Sequence, residues 1–365
     1  MHAQLSTQDH LADPGFWPTQ AAASRQDFIG PSGCQACHAE KVASQSTNAM
    51  SRNLVHADGR DDKVLSAHQH LTFSVAQYHY LIESDARHSL YSVTDGKETL
   101  SWPLLWAFGT PRVGQSYLFK KDDGRFYEAR VTYFPSLKTL GFTPSRDLTA
   151  PRSVEEAMDR EVPAAEISRC FGCHSTASNI AGNFNEATLI PGVTCEACHG
   201  PGAKHVAAMK DFVAGTQSPG TSGIFNSAHL NPSDQVDFCG ACHGTWWDVK
   251  LSGTHGPSTT RSAPYRLVTS RCWGTKGDAR LVCTACHDPH QPLQTAASDY
   301  DRACLRCHAT SAAARLTADH PGKACPVAQK DCTSCHMPKV YVPEMHDNFT
   351  DHRIRIARAG ESFPE

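Results

Sequence analysis

Seven copies of Cys-x-x-Cys-His, abundant Gly and Pro, and one stretch of alternating apolar residues predict the fold class. It is mostly loops and short α-helices, with a small antiparallel β module inserted after the first motif. The copies are Cys34/Cys37/His38, Cys170/Cys173/His174, Cys195/Cys198/His199, Cys239/Cys242/His243, Cys283/Cys286/His287, Cys304/Cys307/His308 and Cys332/Cys335/His336. With 25 glycines, 22 prolines and a mean hydropathy of −0.42, long regular elements and a large apolar core are both disfavoured. Something besides side chains must fill the interior.

In chain order, residues 1–29 lack periodicity and read as an extended segment over another surface. Residues 30–67 carry the first motif. Residues 68–142 read as the β module, because Leu71, Phe73 and Val75 alternate with polar residues, as do Tyr127, Ala129, Val131 and Tyr133. Thr94-Asp95-Gly96-Lys97 and Asp122-Asp123-Gly124-Arg125 lie between such runs and signal hairpins. Residues 143–365 hold the other six motifs. There Ser153-Val154-Glu155-Glu156 is a helix capping box, and its helix is expected to run to near Pro163. A second short helix from Ala164 carries Cys170 to His174, and Gly215 to Gly223 reads as a surface loop. Beyond Cys195, Gly, Pro and Ser keep every element short.

Each motif is an attachment site for haem c. Two thiols three residues apart can each bond one porphyrin vinyl group, and the adjoining histidine then lies under the ring as an iron ligand. A ribbon-type zinc site needs two Cys-x-x-Cys knuckles and no systematic histidine, and a thioredoxin-like pair occurs once within a βαβ pattern. The histidine here follows all seven times. Seven covalent haems are therefore expected, and much of the haem region should be unfolded without them. Cys272 and Cys325 remain, either as a disulfide closing a loop around the fifth and sixth motifs or as two separate buried thiols.

Formal side-chain charge is −3, and two propionates per haem make the holoprotein more acidic. Nucleic acid is disfavoured as a partner, since no Lys/Arg-rich run opposes that balance. No apolar run reaches membrane-spanning length. Met1-His2-Ala3-Gln4 does not open a signal peptide, although haem c is attached outside the bacterial cytoplasm. The expectation is a periplasmic or extracellular protein in mature or trimmed form.

Fourteen of the 21 histidines lie outside the motifs, a surplus that suits histidine on both faces of the irons. The candidates for second ligands are His70, His205, His255, His290, His320, His346 and His352. His205 follows Gly200-Pro201-Gly202, a turn that sends the chain towards a neighbouring haem. Pro289 keeps His287 and His290 off one helix face, so the two should serve different irons. His320 falls between the last two motifs, and His346 and His352 follow the last. His70 opens the β module, and His255 follows the fourth motif. Met50 is either a ligand of the first haem or an ordinary core methionine. His2 and His10 either reach another copy of the chain or belong to a loose tail.

The chain resembles the cytochrome c554-like multihaem cytochromes in several stretches. These are Phe28-Ile29-Gly30-Pro31-Ser32-Gly33-Cys34, Tyr91-Ser92-Val93-Thr94-Asp95-Gly96, Cys195-Glu196-Ala197-Cys198-His199-Gly200-Pro201-Gly202 and Cys286-His287-Asp288-Pro289-His290. Cys335-His336-Met337-Pro338-Lys339 and Thr350-Asp351-His352-Arg353 complete the set. The resemblance implies packed haem pairs with histidine second ligands, and carries ligand candidacy to His205, His290 and His352. Relatives often place a histidine soon after the first motif, where this chain has Asn48 and Met50.

The functional expectation is an electron-transfer protein rather than an enzyme, passing electrons among close haems to redox partner proteins or to other copies of itself. Assembly into a homopolymeric filament is a specific form of it. The alternative is an oxidoreductase acting on a small nitrogen or sulfur species at one open-site haem, the first or the fourth beside Trp246-Trp247. A third reading makes the β module a docking interface to a larger complex, against a plain spacer that shields the first haem.

Overall fold

The computed structural model describes residue 8 and residues 23–144, 149–180, 183–215, 223–273, 280–308 and 324–365. The chain divides into two compact units, one of residues 19–224 with 343–347, the other of 1–18, 225–342 and 348–365.

The first unit is dominated by a nine-stranded antiparallel sheet. Its strands are β1 (Leu54–His56), β2 (His70–Val75), β3 (Tyr78–Ser84), β4 (Ser89–Thr94), β5 (Thr99–Thr110), β6 (Gly114–Lys120), β7 (Phe126–Phe134), β8 (Thr139–Phe142) and β9 (Asp159–Glu161). β2 to β8 run as a meander in sequence order, while β1 pairs with β5 and β9 with β7. Both Asp-Gly signals mark tight turns. Gly96 (φ +86°) joins β4 to β5 and Gly124 (φ +74°) joins β6 to β7, a backbone region open to glycine at little cost. Register shifts between Leu104 and Trp106 and between Ser116 and Leu118 bend the sheet. The bend brings the ends of the meander together, where the Thr139 hydroxyl on β8 donates to the Thr72 carbonyl on β2 at 2.7 Å. The result is a nearly closed, barrel-like sheet.

This corrects the expectation of a chain that is mostly loops and short helices with a small β module. The sheet begins at Leu54 and takes in Asp159–Glu161. The helix capped by Ser153 ends at Met158, well before Pro163, and yields to β9. Alternation understated the sheet because the strands it adds, β1 and β9, have three residues each, too few to show a period.

One face of the sheet encloses a core rich in tyrosine. Tyr78, Tyr80, Tyr91 and Tyr117 are buried with Leu65, Ile82, Val93 and Val131. Asp62 caps the Lys63–Ala67 helix, its Oδ1 accepting from the Val64 and Leu65 N–H groups at 2.8 and 3.3 Å. The other face is a second core in which Leu54, Trp106, Leu118 and Phe126 meet Val162, Ile167 and Phe171. Phe171 lies between Cys170 and Cys173, on the Ala164–His174 helix. Its ring is fully buried and meets Trp106, Phe108, Phe126 and Phe184 at centroid distances of 5.9, 5.0, 5.7 and 4.7 Å. The sheet thus buttresses the second motif.

In the second unit short helices carry the later motifs, and the Pro232–His243 helix packs on Ala263–Val268. Its centre is Arg266, fully buried, which donates through Nε and Nη2 to the two Asp351 carboxylate oxygens at 2.8 and 2.9 Å. Arg266 also donates to the Pro364 carbonyl at 2.9 Å, and Arg355 reaches Asp351 at 2.7 Å. No described helix is long and apolar enough to cross a membrane.

Candidate haem-binding sites

Five of the seven motif histidines end a helix: His174, His199, His243, His308 and His336. His38 breaks helical geometry inside Gly30–Gln45 (φ −120°, ψ 37°), and His287 follows the short turn Cys283–Ala285. In each helical motif the two thiols occupy neighbouring turns, and the imidazole stands at the helix end beside them.

The donor set fits covalently held haem on three counts. Burial raises the thiol pKa of Cys34, Cys198 and Cys286 to about 11 and of Cys170 and Cys332 to about 12. Cys283 of the fifth motif departs from this pattern, a hydrogen bond with Cys239 lowering its pKa. Secondly, ring Nδ1 atoms are engaged locally, which leaves Nε2 to face a metal. His174 Nδ1 lies 3.1 Å from the Asn53 carbonyl, and His336 Nδ1 lies 2.9 Å from that of Arg355. Thirdly, burial lowers the pKa of His243 and His287, and lowers His352 to about 4 with the charge of His287 adding to the effect. Their imidazoles are neutral at pH 7 and keep a lone pair for iron.

In four of the motifs the two thiols differ in exposure. In the fourth motif Cys239 is half-buried, whereas Cys242 is exposed. Both lie on the Pro232–His243 helix, with Cys242 in its last turn, just before the chain leaves the helix at Gly244. Cys37, Cys286 and Cys335, the second cysteines of the first, fifth and seventh motifs, are exposed as well.

Two candidate second ligands face motif histidines. The His38 and His205 ring centres are 6.4 Å apart with planes 21° apart. Those of His287 and His352 are 6.3 Å apart with planes 43° apart. An imidazole nitrogen sits about 2 Å from its metal, so two rings on opposite sides of one metal centre lie about 6 Å apart. The Arg266 grip on Asp351 fixes His352 from the preceding residue. Burial works to raise the Asp351 pKa, but the Arg266 hydrogen bonds, the Arg353 N–H and the charges of Arg266 and Arg355 together outweigh it and hold it below the usual carboxylate value.

The other candidates are placed elsewhere. His70 lies on β2 with Nδ1 3.6 Å from Glu83, and His346 sets its ring edge-on to Phe134 at 4.8 Å. His255 Nδ1 meets the Gly253 carbonyl at 3.0 Å, and His290 Nδ1 meets Asp288 at 3.1 Å. His320, His2, His10 and most of the Gly215–Gly223 loop fall outside the described residues. Met50 is half-buried, and its carbonyl accepts from the Val193 N–H at 2.9 Å. Cys272 and Cys325 are free thiols. Cys272 feels the thiols of Cys304 and Cys307, whereas Cys325 accepts from the Ala328 and Val327 N–H groups.

Motifs also approach one another. The first cysteines of three pairs of motifs lie near enough to influence one another: Cys34 with Cys195, Cys239 with Cys283, and Cys304 with Cys332. Thr176 and Thr194, hydroxyls 3.0 Å apart, link the end of the second motif to the start of the third. Cys286 of the fifth motif feels Cys304 of the sixth. Sequence spacing gave no signal of these approaches, nor of the packing of the sheet against Phe171.

The chain is similar to several known cytochromes. Residues 143–200 match the family model described as cytochrome c554 and c-prime. Over 229 residues the chain is 23% identical to the multiheme cytochrome MtrA of Shewanella baltica (strain OS185), covering 58% of this chain and 57% of that protein. The chain thus spans little more than half the length of that relative. The crystal structure of outer cell wall cytochrome OcwA aligns with a TM-score of 0.48 at 13% identity, over 90% of this chain and 80% of that one.

Proposed function

We propose that this chain, which is a multihaem c-type cytochrome, is an electron relay of seven covalently attached haems, most with histidine on both faces of the iron. Bound haem supplies the reversible one-electron chemistry of iron. The protein contributes anchoring thiols, axial nitrogens and spacing. The observation that carries the reading is the pair of facing rings, His38 with His205 and His287 with His352, at 6.4 and 6.3 Å. Two nitrogens on one iron leave no position for a substrate, which favours electron transfer over catalysis.

Motif approaches support an order for the relay. In the first unit the order is second, third, first motif, through Thr176–Thr194 and Cys34–Cys195. In the second unit it is fourth, fifth, sixth, seventh, through Cys239–Cys283, Cys286–Cys304 and Cys304–Cys332. The carbonyls of Asn53 and Arg355 orient His174 and His336 and make each imidazole a stronger donor, which favours the oxidised iron. Attachment of haem c, which takes place outside the bacterial cytoplasm, supports a periplasmic or extracellular location. Its partners are redox proteins or further copies of the chain, up to a filament, and electron micrographs at high concentration separate these.

Stopped-flow spectroscopy tests the function. The haems should take electrons from a reduced viologen and deliver them to a soluble ferric complex, leaving nitrite, hydroxylamine and sulfite unconsumed. Turnover of any of these by the reduced protein would favour the oxidoreductase instead.

A further inference from the structure

We propose that Glu196, one of the two residues between the haem cysteines of the third motif, is a positioning residue that holds His205 opposite His38 of the first motif. This deepens the reading of His38 and His205 as axial ligands of the first haem, and rests on it.

The Glu196 side chain is 2% exposed, and a buried carboxylate persists only where hydrogen bonds replace water. It accepts three. Its Oε1 takes the Ile29 N–H at 2.9 Å and the Gly202 N–H at 2.8 Å, and its Oε2 takes the Gly30 N–H at 2.8 Å. Two of these donors open the Gly30–Gln45 helix that carries Cys34, Cys37 and His38, where backbone N–H groups and the helix dipole favour negative charge. The third is the residue that starts the Ala203–Val213 helix, in whose first turn His205 stands.

One carboxylate therefore ties together the origins of the two helices that present the facing imidazoles. The second tie sets a phase as well as a distance. Val206 N–H closes the first helical turn on the Gly202 carbonyl at 2.9 Å. With 3.6 residues per turn, a start displaced by one residue would swing His205 by about 100° away from His38. The clamp is also tight. A Cβ on Gly202 would lie 3.0 Å from Ile29 Cδ1 and 3.2 Å from Glu196 Oε1, so the turn has no room to shift.

The test uses holoprotein variants Glu196→Ala, Glu196→Gln and His205→Ala, read by electron paramagnetic resonance and by carbon monoxide binding after reduction. Far-UV circular dichroism and haem content are measured alongside. His205→Ala should convert one haem in seven to a high-spin, carbon monoxide-binding form. Glu196→Ala should open the same iron, with Glu196/His205 double replacement opening no more than one. Glutamine has a single acceptor oxygen for three donors, so Glu196→Gln should open that iron to a smaller extent, and it carries the test if the alanine variant does not incorporate haem. Wild-type spin state in Glu196→Gln and in any haem-loaded Glu196→Ala, with a high-spin iron in His205→Ala, would overturn the positioning role alone. Wild-type spin state in His205→Ala would overturn the ligand reading itself.

Discussion

Arg266 grips Asp351 through two N–H···O contacts of 2.8 and 2.9 Å, both side chains fully buried, one residue before His352. Removing one partner leaves an uncompensated charge in the interior, which costs about 3–5 kcal/mol. Arg266→Met or Asp351→Leu alone should lower the Tm of the holoprotein sharply, and the double variant should recover part of the loss. Thermal melts followed by circular dichroism check this. Equal destabilisation by the pair and by the sum of the singles would mean that the two do not act together.

His352→Ala should leave one haem in seven high-spin and ready to bind carbon monoxide after reduction, without changing haem content. The facing ring of His287 at 6.3 Å is the reason. His70→Ala and His346→Ala serve as comparisons, since Glu83 and Phe134 are their neighbours, and their spectra should match the parent.

Phe171→Ala should cost about 3–5 kcal/mol, the range for an aromatic ring removed from a packed core. The cavity opens between the sheet and the second motif, so proteolysis of the Ala164–His174 helix should accelerate. An unchanged melt and cleavage pattern would argue against the sheet as a buttress.

Asp62 gives a pH dependence with a defined sign. Burial raises its carboxyl to about 6, against the pull of the Val64 and Leu65 N–H bonds. The folded state then holds the proton more tightly than the unfolded chain. Stability is therefore highest below the ordinary carboxylate pKa, falls as pH rises towards 6, and stays lower above that. Asp62→Asn keeps a capping oxygen and removes the charge. Its Tm should exceed that of the parent at pH 7.5, by the equivalent of at most about 3 kcal/mol, and converge with it near pH 4.

The attachment residues were legible because covalent chemistry demands a fixed local spacing, which a sequence displays directly. Their unequal exposure was not, since Cys239 and Cys242 look alike in the motif and differ only in what the fold lays over each turn of the helix. His205 and His352 were legible as candidates, but their partners were not, since 167 residues separate His38 from His205 and pairing is set by tertiary contacts. The hairpin turns at Gly96 and Gly124 were readable from local backbone demands. The extent of the sheet was not: β1 and β9 have three residues each, too few to show the alternation that marks a half-exposed strand. Glu196 was hidden in a position that the motif leaves unspecified.

The spin state of the oxidised holoprotein, integrated by electron paramagnetic resonance at low temperature against total haem, tests the relay most directly. Irons held between two imidazoles give low-spin signals that account for most of the haem present. A high-spin signal equal to most of the haem, shifting on addition of nitrite or cyanide, would contradict it.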